Sequence, residues 1–178
     1  LAPGLVVNFA YNQLVNPQIK KLREHELAVL EQASQDRFPF KGFDIQRYHW
    51  AGSGPTVLLV HGWEGQAGNF AELIEQLQAR HFNIIAFDGP SHGYSSRGQT
   101  SLFEFAELVA YILQEAQAEL VVSHSFGGVA TTYGLSESPQ IKVKRYALLT
   151  TPDRFTERVD QVAEMVGIAQ GVNRRLLI

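Results

Sequence analysis

Cysteine is absent from this chain, which excludes disulfides and thiolate chemistry and leaves the redox compartment unread. No apolar run approaches the roughly 20 residues that a membrane-spanning helix needs. Positive charge is not in excess: 15 Lys and Arg stand against 18 Asp and Glu, a net charge of −3, so there is no basic face for nucleic acid and no acidic tail. Neither a Walker phosphate loop nor a G-x-G-x-x-G turn after a strand occurs, and no organic cofactor is expected. His61, Asp88 and His92 lie on loops but lack the helical His-x3-His spacing of a metal site, so no metal is expected. Leu1 to Ala10 has neither a basic leader nor a cleavage pattern, which argues against a signal peptide and for a cytoplasmic location; because the first residue is Leu, a removed leader stays open.

What is present suits one soluble globular domain: 45% of the 178 residues are hydrophobic and 19% charged, enough for a sizeable core. No internal repeat, low-complexity tract or interdomain linker interrupts it. Residues 17–35 open with Pro17 and carry helix formers such as Lys20, Leu22, Glu24, Leu27 and Leu30, which predicts a partly amphipathic helix. From Phe38 to Trp50, β-formers surround Gly42, as in strands joined by a turn. Thereafter helices are expected over 69–80, 102–116 and 127–136, alternating with strands at 56–60, 83–87, 119–123 and 143–150. Strands spaced by helices of that length imply right-handed parallel crossovers and a sheet covered on both faces.

Three of these strands end in unusual loops. Leu120-Val121-Val122 runs into Ser123-His124-Ser125-Phe126-Gly127-Gly128, a short β-run followed by a serine with small residues two positions to either side and then a helix-compatible stretch. That is the pattern of a nucleophile elbow, in which only small neighbours allow the sharp turn that projects the serine hydroxyl. Ser125 is therefore the candidate nucleophile, with Ser123 in place of the commoner glycine. The strand at 56–60 breaks into His61-Gly62-Trp63-Glu64-Gly65, and that at 83–87 into Asp88-Gly89-Pro90-Ser91-His92-Gly93-Tyr94-Ser95. In a parallel sheet, ligands sit beyond the carboxyl ends of the strands, where all three loops lie.

In order and spacing, the three loops resemble the first half of the α/β-hydrolase fold family over roughly residues 40 to 152, and the HGWEG opening is similar to that of a group of bacterial hydrolases. The resemblance implies an α/β fold with a mostly parallel sheet, helices on both faces and an antiparallel N-terminal edge. It implies an N-terminal helical extension over 1–37, the first part of the hydrolase core over 38–152 and the start of a helical cap over 153–178. It also implies that the backbone N–H groups of Trp63 and Phe126 form an oxyanion hole.

The family's order of serine, acid and histidine finds no histidine after Ser125. Asp153, just after the last strand, is the candidate acid, and the histidine is expected beyond Ile178. His124 reads as a packed neighbour of the nucleophile rather than its base, because adjacent side chains diverge on a sharp turn. His61 is expected to brace its loop, and Asp88 and His92 theirs; His25, His49 and His81 read as ordinary surface or packing residues. Trp63, Phe126 and Tyr94 are candidates to line an acyl pocket. The expected function is a serine hydrolase acting on a small-molecule carboxylic ester or related acyl substrate through an acyl-enzyme at Ser125. A non-catalytic small-molecule-binding protein of the same fold and an acyltransferase are the alternatives.

Overall fold

The apolar runs of the sequence form the middle of a six-stranded sheet in the computed structural model, which describes residues 16–152. The strands are β1 (Ser34–Phe40), β2 (Phe43–Trp50), β3 (Thr56–Val60), β4 (Asn83–Phe87), β5 (Leu120–His124) and β6 (Arg145–Leu149). Their order across the sheet is β1-β2-β4-β3-β5-β6. β1 and β2 are antiparallel and joined by Lys41 and Gly42, both at positive φ (46° and 85°), the geometry of a two-residue hairpin turn. β2 meets β4 antiparallel, and β4, β3, β5 and β6 run parallel, with Leu58 opposite both Ile85 and Val121.

Among the described residues four α-helices accompany the strands: α1 (Glu24–Glu31), α2 (Ala71–Gln78), α3 (Leu102–Glu115) and α4 (Phe126–Glu137), with a 3-10 turn at Ala67–Phe70. Side chains alternate across β3. Leu58 and Val60 enter a core with Phe105, Leu108, Val109 and Ile112 of α3 and Ala130 of α4. Val57 and Leu59 enter another with Val29 and Leu30 of α1 and Ile74 of α2. Burial on both faces is why β3 and β4 read as continuous apolar runs.

The predicted helix over 17–35 is much shorter, and the reason is tertiary. The Arg23 N–H donates to the Glu26 carboxylate (2.7 Å), which starts α1 at Glu24. Upstream, the Gln66 side chain takes the Lys20 carbonyl (2.7 Å) and Leu22 is buried at Gly68, so 16–23 are held in a packed, irregular course. Downstream, Ser34 already pairs with His49. The remaining predicted helices and strands agree with the structure to within a few residues.

Candidate functional site

β3 lies between β4 and β5, so the chain leaves it first to one side of the sheet and then to the other. At such a reversal the loops beyond the strand ends part and leave a crevice. The loops after β3, β4 and β5 meet there.

β5 delivers the serine. Ser123 is fully buried; because Thr131 gives its hydroxyl proton to the Gly127 carbonyl (2.7 Å), Ser123 donates to Thr131 (2.9 Å). This bond accommodates a serine where the elbow pattern favours glycine. Ser125 has φ 52° and ψ −122°, a backbone conformation that costs a non-glycine residue about 1–3 kcal/mol. The surrounding structure holds it: the Ser125 N–H donates to the Leu149 carbonyl of β6, and its carbonyl accepts from the Gly128 N–H, both at 2.9 Å. A Cβ on Gly127 would overlap the His61 carbonyl, and one on Gly128 the Thr151 side chain, so α4 starts in direct backbone contact with the end of β3. Ser125 thus stands, partly exposed, at the N-terminus of the 12-residue α4, where the helix dipole favours negative charge.

The loop after β3 packs against this turn. The position of a Cβ on Gly62 lies 3.1 Å from the Ser125 Cβ and 3.2 Å from the His124 Nδ1, so Gly62 brings its backbone against the elbow. Trp63 is half-buried, its ring edge-on to that of Phe126 with centroids 5.1 Å apart. His61 is buried and joins two loops, with Nδ1 2.8 Å from the Gly62 carbonyl and Nε2 accepting from the Gly89 N–H at 2.8 Å. Burial, the neighbouring His92 and, more weakly, His124 push its pKa well below the usual histidine value.

The loop after β4 is organised by Asp88, whose buried carboxylate accepts from the N–H of Ala67 (2.8 Å), the N–H of Tyr94 (2.8 Å) and the hydroxyl of Tyr48 (3.1 Å). Burial raises its pKa against the opposing pull of these donors. His92 is buried with Nδ1 2.8 Å from the Pro90 carbonyl, and burial pushes its pKa down to about 4. Its ring packs against His61 (4.9 Å), Trp63 (5.0 Å) and Phe105 (5.6 Å), and Phe105 in turn meets Phe126 (5.4 Å). These five rings tie the three loops together.

The structure therefore brings Ser125, Phe126 and Trp63 into one place, with His61, Asp88 and His92 in the frame beneath. Asp153 and the stretch 153–178 lie outside the described residues. His124 is exposed beside an open groove of about 560 Å³ lined by Gly62, Trp63, Phe70, Leu73 and Leu149 and rimmed by Lys20, Glu64 and Glu72. Of the three candidate pocket aromatics, Trp63 lines that groove and Phe126 and Tyr94 do not; Tyr94 is 52% exposed, and Arg37 donates to its carbonyl at 2.8 Å. Two members of the frame escaped the sequence reading. Phe105 was visible as part of the apolar periodicity of α3, but nothing local placed it under the loops, and Tyr48 reaches Asp88 from another strand. Among the described residues no helix is long and apolar enough to cross a membrane, and no group of three or more His, Cys, Asp and Glu residues is placed to hold a metal ion.

Comparison with known proteins places these features in context. A model of the alpha/beta hydrolase fold matches residues 55–168, well over half of the chain. A pimeloyl-[acyl-carrier protein] methyl ester esterase of Xanthomonas campestris pv. campestris (strain B100) is 33% identical over 109 residues, which are 61% of this chain and 42% of that protein. The enzyme of the same name from Xylella fastidiosa (strain 9a5c) is also 33% identical over 109 residues, 61% of this chain and 41% of that protein. The chain thus spans about two fifths of the length of these relatives. Among solved structures, a thioesterase domain from the curacin biosynthetic pathway superposes with a TM-score of 0.61 at 25% identity, covering 75% of this chain and 53% of that one. An epoxide hydrolase from Vigna radiata has the same fold, with a TM-score of 0.61 at 19% identity over 70% of this chain and 42% of that one.

Proposed function

The chain belongs to the alpha/beta hydrolase fold family, and on that premise we propose that it carries the nucleophile and the oxyanion hole of a serine hydrolase acting on a carboxylic ester or related acyl substrate. The observation that carries the reading is the placement of Ser125 at positive φ, at the N-terminus of α4, with the Gly62 backbone packed against it. A strained, partly exposed serine beside a helix N-terminus and a second backbone loop has what acyl transfer needs: a nucleophile and a place for developing negative charge.

In the proposed reaction the Ser125 Oγ attacks the ester carbonyl carbon while its proton passes to a base. The carbonyl oxygen becomes an oxyanion and accepts from the N–H groups of Trp63 and Phe126. Collapse of the tetrahedral intermediate expels the alcohol, which takes up the proton, and water then releases the acid from the acyl-enzyme by the same steps in reverse order. His61 is not the base, because both of its ring nitrogens are engaged within the frame. We assign the base to residues outside 16–152. The esterase and thioesterase names among the relatives support a substrate with an activated acyl carbon, ester first.

The test is steady-state hydrolysis of short-chain p-nitrophenyl esters by the full-length protein and its Ser125→Ala variant. Loss of kcat/KM on the order of 10⁴-fold, with an unchanged melting temperature, is expected. Binding of esters without turnover by a folded wild-type protein would support the non-catalytic reading instead.

A further inference from the structure

His61 does more than fill space beneath the loop, because its two nitrogens have different and determined roles. The Gly89 N–H can only donate, so the His61 Nε2 that receives it carries no proton. In a neutral imidazole the proton is then on Nδ1, which faces the Gly62 carbonyl and donates to it. That carbonyl also accepts from the Gly65 N–H at 3.0 Å. Two donors converging on one oxygen fix the plane of the Gly62–Trp63 peptide.

A trans peptide is rigid, and its N–H points opposite to its C=O. Turning the Gly62 oxygen inward to His61 therefore turns the Trp63 N–H outward, away from the buried frame. Among the described residues no acceptor pairs with that N–H. The same peptide belongs to the loop that Gly62 presses against Ser125.

We propose that His61 is a positioning residue that aims the Trp63 N–H at the developing oxyanion, and that the loop after β4 sets this aim by fixing the His61 tautomer through Gly89. This rests on the serine hydrolase reading of the site. It goes beyond a brace, since it requires one particular ring nitrogen to hold the proton. Burial keeps the imidazole neutral, which preserves both bonds at ordinary pH.

The test uses the full-length protein and two substitutions that remove the same ring. In His61→Asn a side-chain N–H can occupy the Nδ1 position and keep the bond to Gly62, whereas in His61→Gln the amide reaches the Nε2 position and leaves the Gly62 carbonyl without its side-chain donor. The expected result is a split: kcat on p-nitrophenyl acetate falls about 10²-fold in His61→Gln but less than about 10-fold in His61→Asn, with KM changed little in both. Melting temperatures serve as the control, because a purely structural role would lower kcat in proportion to stability. A second measurement needs no variant: ¹⁵N chemical shifts of His61 in the wild-type protein should show Nδ1 protonated and Nε2 bare. An Nε2–H tautomer, or equal kcat losses in the two variants while wild type turns over through Ser125, overturns the role of His61 alone. Absence of Ser125-dependent turnover in the wild type overturns the hydrolase reading and this role with it.

Discussion

His61 and His92 sit as neutral imidazoles among aromatic rings, and that neutrality is lost to the unfolded chain as pH falls. Both folded pKa values lie below the usual 6.5, His92 at about 4. Between the folded value and about 6.5 the unfolded chain binds more protons, so the stability from these residues is complete above that range and declines as pH falls through it, at up to about 1.4 kcal/mol per pH unit for each group. Asp88, with its pKa raised, acts in the opposite sense from its ordinary value of 3.8 upward, and does so equally in wild type and a His92 variant. The drop in urea-unfolding stability between pH 7 and pH 5 should therefore be smaller in His92→Phe than in wild type, by about 2 kcal/mol at most; identical drops would contradict the burial of His92 as a neutral ring. At this scale the turn at Ser125 was legible, because a sharp turn demands small residues at fixed offsets and those offsets are local, whereas Phe126 and Trp63 entered only through the resemblance to the α/β-hydrolase fold family. It could not find the Ser123–Thr131 bond or the Tyr48 hydroxyl on Asp88, since those partners are chosen by folding. Asp153 lies outside the described residues.

Elements were legible where period and punctuation agreed. α3 buries Phe105, Ala106, Leu108, Val109, Ile112 and Leu113 at helical spacing, and Ser101 caps it by accepting from the Glu104 N–H (3.3 Å), so both its face and its start are written locally. α1 was over-read, because helix formers such as Lys20 and Leu22 have a propensity that packing overrides. Leu22 meets Leu30 at Gly68, where a Cβ would lie 3.1 Å from one Leu22 methyl and 3.3 Å from a Leu30 methyl. Leu22→Ala should cost about 2–3 kcal/mol in urea unfolding, at the lower end for buried leucines because the site is near the surface. A cost below about 0.5 kcal/mol would mean that residues 16–23 do not pack as described.

The molecule as a whole is what joins three loops far apart in sequence. The order β1-β2-β4-β3-β5-β6 sets the ends of β4, β3 and β5 side by side, and the ring contacts from His61 through Phe105 to Phe126 hold their loops together. The mostly parallel sheet was legible from alternating strands and helices, and its antiparallel edge from the turn at Gly42. The position of β3 between β4 and β5 was not deduced, because strand order depends on which crossover packs on which face rather than on any segment's own pattern. The central claim is that this assembly makes Ser125 a nucleophile. Its most direct test is to treat the full-length protein with a fluorophosphonate at neutral pH and map the adduct by peptide mass spectrometry. The account predicts one stoichiometric adduct on the peptide containing Ser125, absent in Ser125→Ala; labelling that persists in that variant, or a folded protein that takes no label, would contradict it.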